Sequence, residues 1–203
     1  MRSCGISEDY CTGGITGKEQ FEKFAYTLQY AIGNPLYHWA HIELQKYFGI
    51  NTPLSAKTAD EIYERANKAI ADGDFRPQSL IMKSNVKVVC TTDDPADDLK
   101  YHKLLKEADD FDCMVLPTFR PEKALNINLN GFADYIAELE KASDISINSV
   151  DDVIAALEKR ADYFDEIGCR VSDHSFDYVP FSSASDDAVE AAFQKAMNGQ
   201  RVS

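Results

Sequence analysis

The chain has 203 residues, 34 of them acidic and 21 basic, for a formal net charge of −13. A hydrophobic fraction of 44% excludes a disordered or collagen-like chain, and the length suffices for one large domain or two small ones. So negative a charge argues against nucleic acid or an anionic membrane as partner, and no apolar run approaches the ~20 residues of a membrane span.

In chain order, the first 84 residues read as helices and loops. Thr16-x-x-Glu19 has the form of a capping box ahead of Phe21, Phe24, Ala25 and Leu28 at helical spacing. Asn34-Pro35 offers an N-cap with proline in the first turn, and the helix it opens carries Leu36, Trp39, Ala40, Leu44, Tyr47 and Phe48 before Gly49. A third helix is predicted from Thr58-x-x-Glu61 to Gly73, and a short one over Pro77–Met82. From residue 85 the rhythm becomes strand, helix, strand. Residues 86–91 are β-branched and nearly all apolar, as a parallel strand covered on both faces should be. Then come a helix near 97–108, a strand at 113–116, helices at 131–142 and 150–167, a strand at 169–172, and a helix over 186–198. The predicted fold class is therefore α/β, divided into residues 1–84 and 85–203.

Strands joined by crossover helices share one C-terminal face, where α/β proteins carry their chemistry. The three strand ends here read Thr91-Thr92-Asp93-Asp94-Pro95, Pro117-Thr118-Phe119-Arg120-Pro121 and Ser172-Asp173-His174. Arg120, on a loop stiffened by Pro121, is suited to grip a carboxylate bidentately, or to pair with a surface acid. Asp173 and His174 are candidates for a general base, a metal ligand or an orienting carboxylate, or for a turn aspartate and a satisfied histidine. Asp93 and Asp94 are candidates for the site or for caps of the next helix.

Other signals carry less. Gly13-Gly14-Ile15-Thr16-Gly17-Lys18-Glu19 is one residue short of a phosphate loop and has Glu where Ser or Thr should hold magnesium. His38 and His41 lack a third ligand at matching spacing. His102 reads as structural. Cys90 and Cys113, inside strands, read as buried small hydrophobes, and Cys4 and Cys11 have no zinc-like partner. Five cysteines without framework spacing, and an N-terminus without an apolar signal core, point to reduced thiols in a cytoplasm.

The strings Gly33-Asn34-Pro35-Leu36-Tyr37-His38-Trp39, His41-Ile42-Glu43-Leu44, Tyr47-Phe48-Gly49-Ile50, Thr91-Thr92-Asp93-Asp94-Pro95, Leu116-Pro117-Thr118-Phe119-Arg120-Pro121 and Val171-Ser172-Asp173-His174 resemble uronate isomerases of the amidohydrolase superfamily. The resemblance runs from Met1-Arg2-Ser3-Cys4-Gly5 to at least Tyr178. It implies a partial (β/α)8 TIM barrel with an inserted helical region, here the segment before residue 85. It also implies interconversion of D-glucuronate with D-fructuronate, or D-galacturonate with D-tagaturonate, by proton transfer near a divalent metal, usually zinc. By the same resemblance Arg120 and Asp93 contact the substrate, and Asp173 and His174 are catalytic. The family's His-x-His metal pair and a catalytic His-Tyr pair lie upstream of this chain, and its Asp ligand and a further arginine lie downstream. The expectation is an internal piece that carries one rim and no metal, is inactive alone, and is marginally stable because of unpaired strand edges. Exposed edges and the aromatic helix at Leu36–Phe48 are compatible with a homo-oligomer. Two readings compete with this one: a metal-dependent hydrolase on the same barrel, and a non-catalytic α/β interaction module.

Overall fold

A computed structural model describes residues 1–176 and 182–202; Tyr178 lies outside the described residues. The chain divides into two compact units, Met1–Asn85 and Val86–Ser203.

The first unit contains two short 3-10 turns, Arg2–Cys4 and Glu8–Tyr10, and helices α1 (Lys18–Leu28), α2 (Pro35–Phe48), α3 (Ala59–Asp72) and α4 (Pro77–Lys83). Its core is Ala25 and Leu28 of α1, Leu44 of α2, Ile50 and Leu54 of the following turn, and Ala59 and Ile62 of α3. Asn34 caps α2 by accepting from the Leu36 amide, and Gly49 ends it at φ 65°, a left-handed backbone that glycine adopts without Cβ strain. Lys18 ion-pairs with Asp60 and Glu64, tying α1 to α3, and those two hydrogen bonds raise its pKa.

The expected capping box at Thr16 is corrected. Helix α1 starts one residue later than the Thr16 box requires, with Gly17 at the N-cap and no side-chain cap. Thr58 stands at the N-cap of α3, but its hydroxyl closes the preceding turn, donating to the Pro53 carbonyl at 2.7 Å and accepting from the Ser55 amide. Of the apolar set expected on α2, only Leu44 is buried, while Leu36 and Trp39 face outward. His41 is a bracket rather than a ligand. Its Nε2 accepts from the Leu54 amide at 2.9 Å, so its Nδ1 carries the proton and donates to the Tyr37 carbonyl at 2.6 Å.

The second unit has strands β1 (Val88–Cys90) and β2 (Met114–Leu116) and helices α5 (Lys100–Lys106), α6 (Glu122–Leu125), α7 (Phe132–Ser143), α8 (Val150–Ile167) and α9 (Asp186–Met197). The strands are parallel, with Val88 opposite Met114 and Cys90 opposite Leu116. Ser149 caps α8 by accepting from the Asp152 amide. Gly168 ends it at φ 116°, where an added Cβ would lie 3.1 Å from Leu116 Cδ2. The main core lies among α7, α8 and α9 and includes Phe132, Ile136, Leu139, Val153, Ala156 and Phe193. A smaller cluster joins Leu99, Phe164 and Cys169.

Four expectations fail in this unit. The first strand is three residues long and has exposed Val88 and Cys90, because a two-stranded sheet leaves one side of each strand uncovered; Cys90 is not a buried thiol. Residues 169–172 make one isolated bridge, Phe119 with Ser172, instead of a strand. Helix α5 starts at Lys100, because the carbonyls just before it are held elsewhere. Buried Arg160 donates to the carbonyls of Pro95, Asp97 and Ala142, and Tyr163 donates to that of Asp98. Helix α6 was not anticipated. Among the described residues no helix is long and apolar enough to cross a membrane.

Candidate active-site rim

Beyond β1 and β2 the parallel alignment continues as two single bridges, Asp93 with Phe119 and Phe119 with Ser172. These put three chain segments side by side at the C-terminal ends of the strands. The Asp93 amide donates to the Thr118 carbonyl, the Arg120 amide to the Asp93 carbonyl, and the Phe119 amide to that of Val171. Arg120 and Asp173 each follow a bridged residue, and they meet: Arg120 Nε lies 3.0 Å from Asp173 Oδ1. A second carboxylate, Glu122 on α6, approaches Nε at 3.3 Å and accepts from the Ser175 amide at 2.7 Å.

This arginine is electrostatically compensated but badly bonded. Nε is buried, and neither carboxylate approach has hydrogen-bond alignment, so that donor has no hydrogen-bond partner among the described residues. An unaligned buried donor costs stability, roughly 1–3 kcal/mol, unless another acceptor arrives. Asp173 is 58% exposed against 17% for Glu122. Asp173 is thus the carboxylate that an incoming anion could displace.

Asp93 is turned inward. Its Oδ2 accepts from the Thr91 hydroxyl at 2.6 Å and the Thr118 amide at 3.2 Å, and its Oδ1 lies 3.7 Å from His102 Nε2. Asp94 does not cap α5. It accepts from the Ala96 amide and pairs with Lys123 at 3.4 Å. Burial, with the Asp94 carboxylate adding to it, pushes the neighbouring Tyr135 phenol well above its usual pKa. His174 is exposed and stacks on Phe176, with ring centroids 5.2 Å apart. The structure therefore brings together Arg120, Asp173 and Asp93, and leaves His174 next to Asp173 in the chain without a polar partner among the described residues. Sequence reasoning missed Glu122, whose only signal is its place two residues after Arg120, and it read His102 as structural. None of Asp93, Arg120 and Asp173 lines the cavity of about 480 Å³ beside β2, which is bounded by His102, Cys113, Leu116, Ile167 and Gly168 among others.

No three His, Cys, Asp or Glu side chains among the described residues are grouped closely enough to hold a metal ion. The donors present here do not make a metal site by themselves.

The sequence profile described as Glucuronate isomerase matches residues 1–203. The chain belongs to the glucuronate isomerase family. It is 49% identical over 203 residues to a protein named uronate isomerase from Clostridium acetobutylicum, and 50% identical over 202 residues to one from Caldanaerobacter subterraneus subsp. tengcongensis. Each alignment covers 100% of this chain and 43% of the relative, so the chain spans less than half the length of these relatives. The crystal structure of uronate isomerase from Thermotoga maritima matches with TM-score 0.88 and 33% identity, over 100% of this chain and 44% of that one. Glucuronate isomerase from Caulobacter crescentus shares the fold at TM-score 0.83 and 23% identity, over 98% of this chain and 43% of that one.

Proposed function

We propose that this chain supplies one rim of a uronate isomerase active site, on a partial (β/α)8 barrel of which β1, β2 and the segment at Ser172 are successive members. Residues 1–84 form its helical insertion. The substrate is a hexuronate, D-glucuronate or D-galacturonate, converted to the corresponding ketose by moving a proton between neighbouring carbons. The observation that carries this reading is Arg120: a part-buried guanidinium at the ends of parallel strands, whose buried Nε has no aligned acceptor among the described residues, in a chain of this family.

A hexuronate carboxylate would take the place of Asp173 on the guanidinium. Asp173, released by that exchange, is placed to accept a hydrogen bond from a substrate hydroxyl, and His174 to hold or move a proton beside it. Asp93 contributes from within the rim, through the segment that it holds, and its substrate contact is indirect. The divalent metal of such an enzyme, zinc by preference, would require ligands beyond those grouped here, and no step is assigned to it. A cytoplasmic location and assembly into a homo-oligomer belong to the same reading.

The test is titration of the protein and its Arg120→Ala variant with D-glucuronate, following the Phe119 and Ser175 amide resonances, which flank the guanidinium and are present in both proteins. One lost charge-assisted contact is worth ~1.5–3 kcal/mol, so the variant should respond roughly ten- to a hundredfold more weakly. Equal responses from the two proteins would remove Arg120 from the substrate site.

A further inference from the structure

We propose that His102 is a positioning residue for this rim: by donating its Nε2–H to Thr91 it orients the Asp93 carboxylate that clamps the segment carrying Arg120. The link to substrate rests on the Arg120 reading above; the positioning itself rests on geometry alone.

Proton counting fixes the direction of the chain. Thr91 Oγ1 has one proton and lies 2.6 Å from Asp93 Oδ2, 2.7 Å from His102 Nε2 and 3.3 Å from the Leu116 carbonyl. A carboxylate only accepts, so the shortest of these contacts takes the hydroxyl proton. His102 Nε2 must then be the donor to Thr91, which makes it the protonated nitrogen of the ring. Asp93 Oδ2, so held, accepts from the Thr118 amide, while the Asp93 carbonyl accepts from the Arg120 amide. Asp93 thus grips the residues on both sides of Phe119. His102 and Asp93 side chains are 10% and 12% exposed, so the contact is largely withdrawn from bulk water.

The competing explanation is that the His102 ring merely fills space between α5 and β2. Two variants separate the explanations. His102→Phe keeps the ring and removes the donor; His102→Gln keeps a donor near Nε2 and removes the ring. The experiment is NMR on the 203-residue chain, with amide exchange at Thr118 and Arg120 referred to the Gly168 amide, which is bonded to Phe164 in the same unit. The wild-type ring should show the Nε2–H tautomer. His102→Phe should speed exchange at Thr118 and Arg120 by about tenfold, the weight of one hydrogen bond, and His102→Gln should return it to within about twofold.

An Nδ1–H tautomer overturns the proposal. So does rescue by Phe but not Gln, or an equal rise at Gly168. Should a variant fail to fold, the wild-type tautomer and the remaining variant still decide. D-glucuronate titration of the same proteins reads the link to substrate. If wild type responds and His102→Phe responds equally, the link is lost. If wild type does not respond, the Arg120 reading fails while the amide data still judge the clamp.

Discussion

The two units solve the same problem with different success. In the helical unit α1, α2 and α3 close their interior backbone hydrogen bonds within themselves, so they need only bury side chains around Leu28, Leu44 and Ile62. In the second unit α7, α8 and α9 do likewise, but β1 and β2 depend on neighbours for both hydrogen bonds and cover. With two strands, Val88, Cys90 and Met114 stay exposed. A helix carries its partners with it, whereas a strand borrows them. Stability in the second unit therefore rests on its helices and on Arg160, and the strands supply direction for the rim.

The largest effect expected from this contrast is at Arg160. Arg160→Ala would strip the donors from one buried and two partly buried carbonyls and open a void, costing about 3–5 kcal/mol. Urea titration read by amide exchange should show the loss in residues 86–202 and not in α1–α3; uniform loss across both units would erase the distinction. Gly168→Ala should cost about 1–2 kcal/mol, since φ 116° is foreign to alanine and the new methyl meets Leu116. A thermal shift below a degree would show that the α8 end yields easily. Met114→Lys, on an exposed face of β2, should change stability by no more than about 0.5 kcal/mol in this chain. A cost of several kcal/mol would mean that the strand face is covered after all and would break the contrast.

The smallest effect is electrostatic. Arg2 and Thr12 hydrogen-bond the Glu8 carboxylate and lower its pKa from 4.5 to about 2. Because the folded value is depressed, the contribution is present above about pH 4.5 and fades as the pH falls toward 2. The Glu8 carboxyl carbon should titrate near pH 2, and higher, toward its ordinary value, after Arg2→Ala, with the Thr12 hydrogen bond still holding it down.

What the sequence revealed follows how local each signal is. Helix α8 was legible from end to end because its cap, acidic first turn, apolar spacing and terminal glycine are all within Ser149–Gly168. The α/β class was legible from the alternation of elements, and the meeting of Arg120 with Asp173 from the shared direction of their chain segments. The late start of α5 was not, because the groups that hold its approach, Arg160 and Tyr163, are more than 60 residues away. Nor were the exposure of Cys90 and the reduction of residues 169–172 to one bridge, since a strand's extent is set by its partners. Glu122 and the Thr91–His102 contact are side-chain encounters that no spacing announces.

The bridges Asp93–Phe119–Ser172 carry a consequence for how this rim can change. Successive residues of an extended segment face opposite ways, so parity decides what each position presents. Losing one residue between Leu116 and Arg120 would turn the guanidinium to the opposite face and bring Pro121 to the meeting point with Asp173. Losing two would restore the face but shift the charge by ~6.5 Å along the segment. Substitutions here are graded in their effect, whereas changes of length are all-or-none, and the spacing between Leu116 and Arg120 is as much a part of the site as the arginine.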